Sequence, residues 1–131
     1  MTFPLPGANW GSLHGPRPLA TTGLDGFALQ NGTPNILTWD APDDGKLHEV
    51  SVHGSVCVTS AETGGALTLY FTNPAGLTTS FVVTGGGTAT NGVALVDNSA
   101  VMVLPGTTVT LSQTTALTAG EATVYATLWG M

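Results

Sequence analysis

His48-Glu-Val-Ser-Val-His-Gly-Ser-Val-Cys-Val-Thr59 places Val50, Val52, Val56 and Val58 on one side of an extended chain and Ser51, His53, Ser55 and Cys57 on the other. Successive side chains of a strand point to opposite faces, so this period of two marks a strand with one buried and one unburied face. The same signal repeats on both sides of it. Toward the N-terminus it is found at Asn35 to Trp39, and within Lys46 to Thr59 it runs the full length. Toward the C-terminus it recurs at Leu67 to Thr72, Leu77 to Thr84, Thr108 to Ser112 and Glu121 to Trp129, with weaker strands at Asn91 to Asp97 and Ala100 to Leu104. The last strand sets Ala122, Val124, Ala126 and Leu128 against Thr123, Tyr125, Thr127 and Trp129.

Turn formers separate these runs: Asp40-Ala-Pro-Asp-Asp-Gly45, Glu62-Thr-Gly-Gly65 (read as a hairpin turn), Asn73-Pro-Ala-Gly76, Gly85-Gly86-Gly87, Asn98-Ser99 and Pro105-Gly106. No stretch has the pattern of a helix of ordinary length. Many short strands about ten residues apart, with Gly or Pro turns, predict an all-β fold, an antiparallel β-sandwich of roughly eight strands. The final strand stops close to Met131, so it has to be tied into a sheet and is expected in the middle of one.

Met1 to Thr33 reads differently. Pro4, Pro6, Pro16 and Pro18 stand among glycines without alternation, and the apolar residues are isolated. Proline fixes an extended backbone and removes donors, so residues 1–33 are expected to form an arm or irregular loop, and 34–131 the β-sandwich domain. Phe3, Trp10 and Phe27 are unusual in such a segment, because disordered tails are poor in aromatics. They have the character of anchors for a groove on this chain or on a partner.

With 131 residues the chain suits one domain with one core. Hydrophobic residues make up 42%, but charged residues only 8%, against about 25% in ordinary domains. Either the surface is neutral and polar, or neighbouring subunits cover much of it, since interface cores are depleted in charge. The formal charge of −6 sets eight acids against Arg17 and Lys46. Binding phosphates takes several cations, so nucleic acid is not expected as a partner. Cys57 is the sole cysteine, which rules out an intrachain disulfide and a cysteine-based metal site; in a strand it reads as a small buried hydrophobe. Met1 to Trp10 has neither the basic region nor the apolar run of a signal peptide, and no segment has the roughly 20 apolar residues of a membrane span. The expectation is synthesis in the cytoplasm, with no membrane partner.

A lone sandwich needs one apolar face per sheet. Tyr70, Tyr125, Trp129 and Val82 lie opposite the core residues of their strands. Scattered surface aromatics are one explanation; the other is a subunit interface, where aromatics are enriched and Lys and Glu depleted.

Leu47-His-Glu-Val-Ser-Val-His-Gly-Ser-Val-Cys-Val-Thr59, Leu67-Thr-Leu-Tyr-Phe-Thr72, Gly106-Thr-Thr-Val-Thr-Leu-Ser-Gln113 and Ala122-Thr-Val-Tyr-Ala-Thr-Leu-Trp129 together resemble the small jelly-roll domains of tailed-bacteriophage virion proteins. Those domains are similar to the trimeric fold of tumour necrosis factor and the complement globular head. The resemblance covers about Pro34 to Met131 and is one of style and strand order. It implies a jelly roll whose C-terminal strand runs through the middle of the inner sheet, with three such sheets packed about an axis. It further implies a homotrimeric capsid decoration, or cement, protein on the outer capsid surface. Its trimer interface would include His53, Tyr70, Tyr125, Thr127 and Trp129. An N-terminal arm would reach the major capsid protein through Phe3, Trp10, Leu13 and Phe27. The arm lacks basic residues, so such contact would be apolar and backbone-mediated.

Catalytic and metal patterns are incomplete. His48-Glu49-Val-Ser-Val-His53 has one residue too many for the zinc-protease motif, and on a strand its histidines point to opposite faces. Glu49 and His53 share a face but stand about 13 Å apart. Three copies of either around an axis would be able to hold an ion, whereas an ordinary polar interface needs none. Asp40, Asp43 and Asp44 are possible calcium ligands, but with Pro42 and Gly45 they make a plain turn. Ser55 has no nucleophile elbow and the glycines at 85–87 have no P-loop lysine. The expectation is therefore a protein that is not an enzyme, without metal or other cofactor. The alternative to decoration is a receptor- or carbohydrate-binding module of a phage tail tip or fibre, with Trp39 beside Asp40, or Trp129 beside Tyr125, as sugar platforms.

Overall fold

The computed structural model describes residues 16–84 and 92–130. Among them are β1 (Arg17–Thr21), β2 (Phe27–Ala28), β3 (Asn35–Asp40), β4 (His48–Thr63), β5 (Leu67–Thr72), β6 (Thr78–Thr84), β7 (Gly92–Asp97), β8 (Val101–Val103), β9 (Thr108–Gln113) and β10 (Ala119–Gly130), and no helix. They form two antiparallel sheets, β1-β10-β4-β7 and β3-β9-β5-β6, with β2 also on β10 and β8 also on β4. β1 and β2 share one edge of β10, and β7 and β8 share one edge of β4. Eight strand positions in two four-strand sheets, wound this way, make a jelly roll.

Each sheet turns its alternate residues inward. Val50, Val52, Val56 and Val58 of β4 and Ala122, Val124, Ala126 and Leu128 of β10 are buried, as their alternation requires. They meet Leu67, Leu69 and Phe71 of β5 and Val109 and Leu111 of β9. Full burial of a Val or Leu side chain contributes about 1.5–3 kcal/mol, so this double layer is the main source of stability. β10 does lie inside its sheet, between β1 and β4.

Gly54 interrupts the inward row of β4, where it stands between Ala126 and Val96. A Cβ there would collide with the Tyr125 carbonyl oxygen and sit 2.7 Å from the Ala126 Cα. Only glycine lets β4 and β10 approach this closely.

Two expectations are corrected. The stretch 17–28, expected outside the sheets, supplies the first strand position: β1 pairs residues 127–130 of β10, and β2 pairs Thr123 and Val124. Proline is tolerated on an edge strand, and Pro18, opposite Trp129, sits on one beside a register shift. Leu29 is buried, and Leu19, Ala20 and Phe27 pack against the core. The wholly buried Gln113 ties the segment down, accepting from the Gln30 N–H at 2.9 Å and donating to the Gln30 carbonyl at 2.6 Å and the Thr115 carbonyl at 3.0 Å. Secondly, Glu62–Gly65 is not a hairpin turn. It carries the chain from one sheet to the other, because both edges of β4 are already occupied. Gly64 and Gly65 turn it over with φ of +93° and +79°. Asn73–Gly76 is the hairpin expected, joining β5 to β6, with the Asn73 carboxamide oxygen accepting from the Ala75 and Leu77 N–H groups.

β7 and β8 are one edge strand broken at Asn98–Ala100. At the break the Asn98 Oδ1 accepts from the Val52 N–H at 2.6 Å, replacing the missing ladder partner. Asn98→Ala leaves that N–H unpaired and is expected to cost about 1–2 kcal/mol in a denaturant titration, whereas Ser99→Ala costs little.

Candidate interface surface

The outward residues of the β10 sheet are placed by strand register. Trp129 stands opposite Ser51; Thr127, His53 and Asp97 form the next row; then Tyr125, Ser55 and Leu95; then Thr123, Cys57 and Val93. Four of the residues expected at a trimer interface, His53, Tyr125, Thr127 and Trp129, therefore share one face. Tyr70 does not. It lies on β5, opposite Ser80 and Thr110, on the outside of the other sheet. The two sheets of a sandwich are about 10 Å apart, so one flat contact cannot include Tyr70 with the others.

The structure adds Val93 and Leu95 to this face. They are 67% and 77% exposed beside the 36%-exposed Tyr125. Their strand alternates weakly, and its faces become assignable only through its pairing with β4. The Cys57 side chain is half-buried on the outer face and not in the core. On this face His53 Nδ1 lies 2.8 Å from Asp97 Oδ1, and the same imidazole reaches Ser51 Oγ at 3.2 Å. A depression of about 520 Å³ lies at the β1 end, lined by Pro16, Glu49, Ser51, Ala100 and Trp129 among others. A shallower hollow continues from Trp129 past Thr127 and Tyr125.

The other candidate groups have local structural duties. His48 stands edge-on to Trp39, ring centroids 6.0 Å apart, with Nε2 3.0 Å from Asp44 Oδ1. Trp39 is thus turned against the core and is not a free sugar platform, while Asp40 accepts from the Thr108 hydroxyl at 2.8 Å. The hydrogen bond from His48 holds the Asp44 carboxyl below its ordinary value. A carboxylate lowered in the folded state stabilises above its unfolded pKa, and that contribution is lost as pH falls through the folded value. Asp44→Asn is therefore expected to lower the Tm slightly at pH 7, and the gap from the unsubstituted protein should close on acidification. No group of three or more His, Cys, Asp or Glu side chains that could hold a metal ion occurs among the described residues. Phe27 packs on its own core, and Phe3, Trp10 and Leu13 lie outside the described residues.

No protein-family model matches the sequence, and neither does any curated protein. Solved structures do match. A chain of the T13 particle of infectious bursal disease virus superposes with a TM-score of 0.59 at 16% identity, over 88% of this chain and 30% of that one. The VP2 subviral particle of the same virus gives 0.57 at 19% identity, over 88% and 32%. T=1 particles derived from that virus give 0.54 at 18% identity, over 88% and 31%. The chain spans about a third of the length of these proteins, and at such identities the likeness shows a shared fold.

Proposed function

We propose that the chain is a structural virion protein, a homotrimeric decoration protein bound to the outer surface of a tailed-phage capsid. The observation that carries this reading is the outer face of the β10 sheet. It presents Val93, Leu95 and Tyr125 to solvent around the contact of His53 with Asp97. Exposed apolar groups gathered on one face mark an interaction surface. Packing three such sheets about an axis would cover the face. A stable contact needs about 800 Å² from each partner, an area within reach of a four-strand sheet. Virus-particle proteins with the same fold support a virion setting.

In this reading Phe3, Trp10 and Leu13 reach the major capsid protein. Phe27 is withdrawn from that role by its place against the core. Binding only to the assembled shell stabilises it by mass action, and the work requires no catalytic residue. The glycan-binding alternative keeps Trp129 but loses Trp39, whose ring is held against His48. Co-sedimentation with capsids of the encoding virus tests the proposal. Saturable retention on capsids, lost in Trp10→Ser, is the expected result; binding to host cells or glycans with no retention on capsids contradicts it.

A further inference from the structure

The depression at the β1 end of the β10 sheet holds an acid that lacks a counter-charge. Its volume is about 520 Å³, and its walls among the described residues include Pro16, Glu49, Ser51, His53, Ala100 and Trp129. Glu49 is the one acid among these, and no Lys or Arg stands with it. It is half-buried and has no hydrogen bond or ion pair among the described residues. The polar groups beside it are already engaged, His53 Nδ1 with Asp97 at 2.8 Å and His53 Nε2 with Ser51 Oγ at 3.2 Å. The whole chain carries one Arg and one Lys, Arg17 and Lys46, and neither lines the depression. Arg17 stands opposite Gly130, a position on the face away from Trp129. A carboxylate partly withdrawn from water gains from a cation brought to it.

We propose that this depression binds the guanidinium of an arginine side chain on a partner protein, with Glu49 as its counter-ion and the Trp129 ring as the wall on which it stacks. Trp129 stands opposite Ser51, and Glu49 is the next outward residue of β4, so Glu49 and Trp129 are diagonal neighbours across the ladder. Such neighbours are about 7–8 Å apart, a gap that one planar cation bridges. The face of an indole attracts a cation within about 6 Å of its centre, and a carboxylate accepts two parallel N–H bonds from a guanidinium. The ammonium of lysine is a compact, strongly hydrated charge without a plane to stack, which favours arginine. Pro16 and Ala100 suit the methylene stem behind the charged head. Charge complementarity selects the occupant: an anion would meet Glu49 on a chain of formal charge −6, and a neutral ligand would leave the Glu49 charge uncompensated. The depression is about 13 Å along β10 from Tyr125, so an arginine seated there leaves the Tyr125 end of the face free. The inference concerns the single chain and rests on neither self-association nor a virion role; its failure leaves both as they stand.

The test is titration of the full-length protein with a blocked tripeptide carrying a central arginine, read at the indole N–H of Trp129 in a proton–nitrogen correlation spectrum. That signal is identified by its loss in Trp129→Phe. A saturable shift is the expected result. The same peptide with citrulline, which keeps the shape of the side chain and removes its charge, should give no saturable shift. Glu49→Gln should weaken binding of the arginine peptide at least tenfold, whereas Asp43→Asn, which removes an acid from the turn before β4, should leave it unchanged and so exclude a mere effect of net charge. If Glu49→Gln loses its fold, shown by collapse of the dispersed spectrum, the comparison of arginine with citrulline on the unsubstituted protein decides. No saturation at Trp129, equal shifts with the two peptides, or equal affinity in folded Glu49→Gln overturns the proposal.

Discussion

Gly54→Val is expected to abolish the folded state. A Cβ at this position meets the backbone of β10 at the Tyr125 carbonyl and the Ala126 Cα, and neither can be moved by a side-chain rotation. Overpacking against mobile side chains costs about 1–3 kcal/mol. Here β4 and β10, the two longest strands, would have to separate in the middle of their ladder, so about 4 kcal/mol or more is expected, much of the margin of a domain this size. Thermal unfolding by circular dichroism would show no cooperative transition for Gly54→Val, a reduced Tm for Gly54→Ala and a near-normal Tm for Ser55→Thr on the outward side. A normal melt for Gly54→Val would remove the close approach of these strands from the account.

Leu95→Asp is expected to dissociate the proposed trimer without unfolding the subunit. Leu95 is largely exposed in the single chain, so the subunit loses little packing. In the trimer each copy would bury a carboxylate with no cation beside it, at a cost of several kcal/mol. At 1.4 kcal/mol per factor of ten, a weakening of at least 100-fold in association is a modest expectation. Trp129→Ser, which removes an aromatic at the rim of the same face, should weaken the trimer more than it destabilises the subunit. Tyr70→Ser, on the other sheet, should leave the trimer intact. Sedimentation velocity across a concentration series separates these cases, and an unchanged trimer in Leu95→Asp would exclude the β10 face as the contact.

How much of this was readable beforehand depended on alternation. In β4, β5, β9 and β10 large apolar residues recur at every second position over most of the strand, and the apolar inward sets read from sequence are those of the structure. β1 escaped because Pro16 and Pro18 mask an edge strand whose hydrogen bonds lie on one side only. The crossing at Glu62–Gly65 was hidden for another reason: two glycines serve a hairpin and a change of sheet equally well, and only the pairing of β4 with β10 and β7 decides. The candidate interface surface was half legible. Strand periodicity brought His53, Tyr125, Thr127 and Trp129 to outward positions, but it cannot say which sheet a strand joins, so Tyr70 was grouped with them. Val93 and Leu95 stayed hidden because β7 is apolar on both faces, and period alone does not tell in from out.

Self-association through the β10 face is the central claim, and the solution mass of the purified full-length protein tests it most directly. Light scattering at micromolar concentration should give three times the 13.2 kDa of the single chain. A folded monomer at that concentration would contradict the claim and leave Val93, Leu95 and Tyr125 as a surface for a different partner.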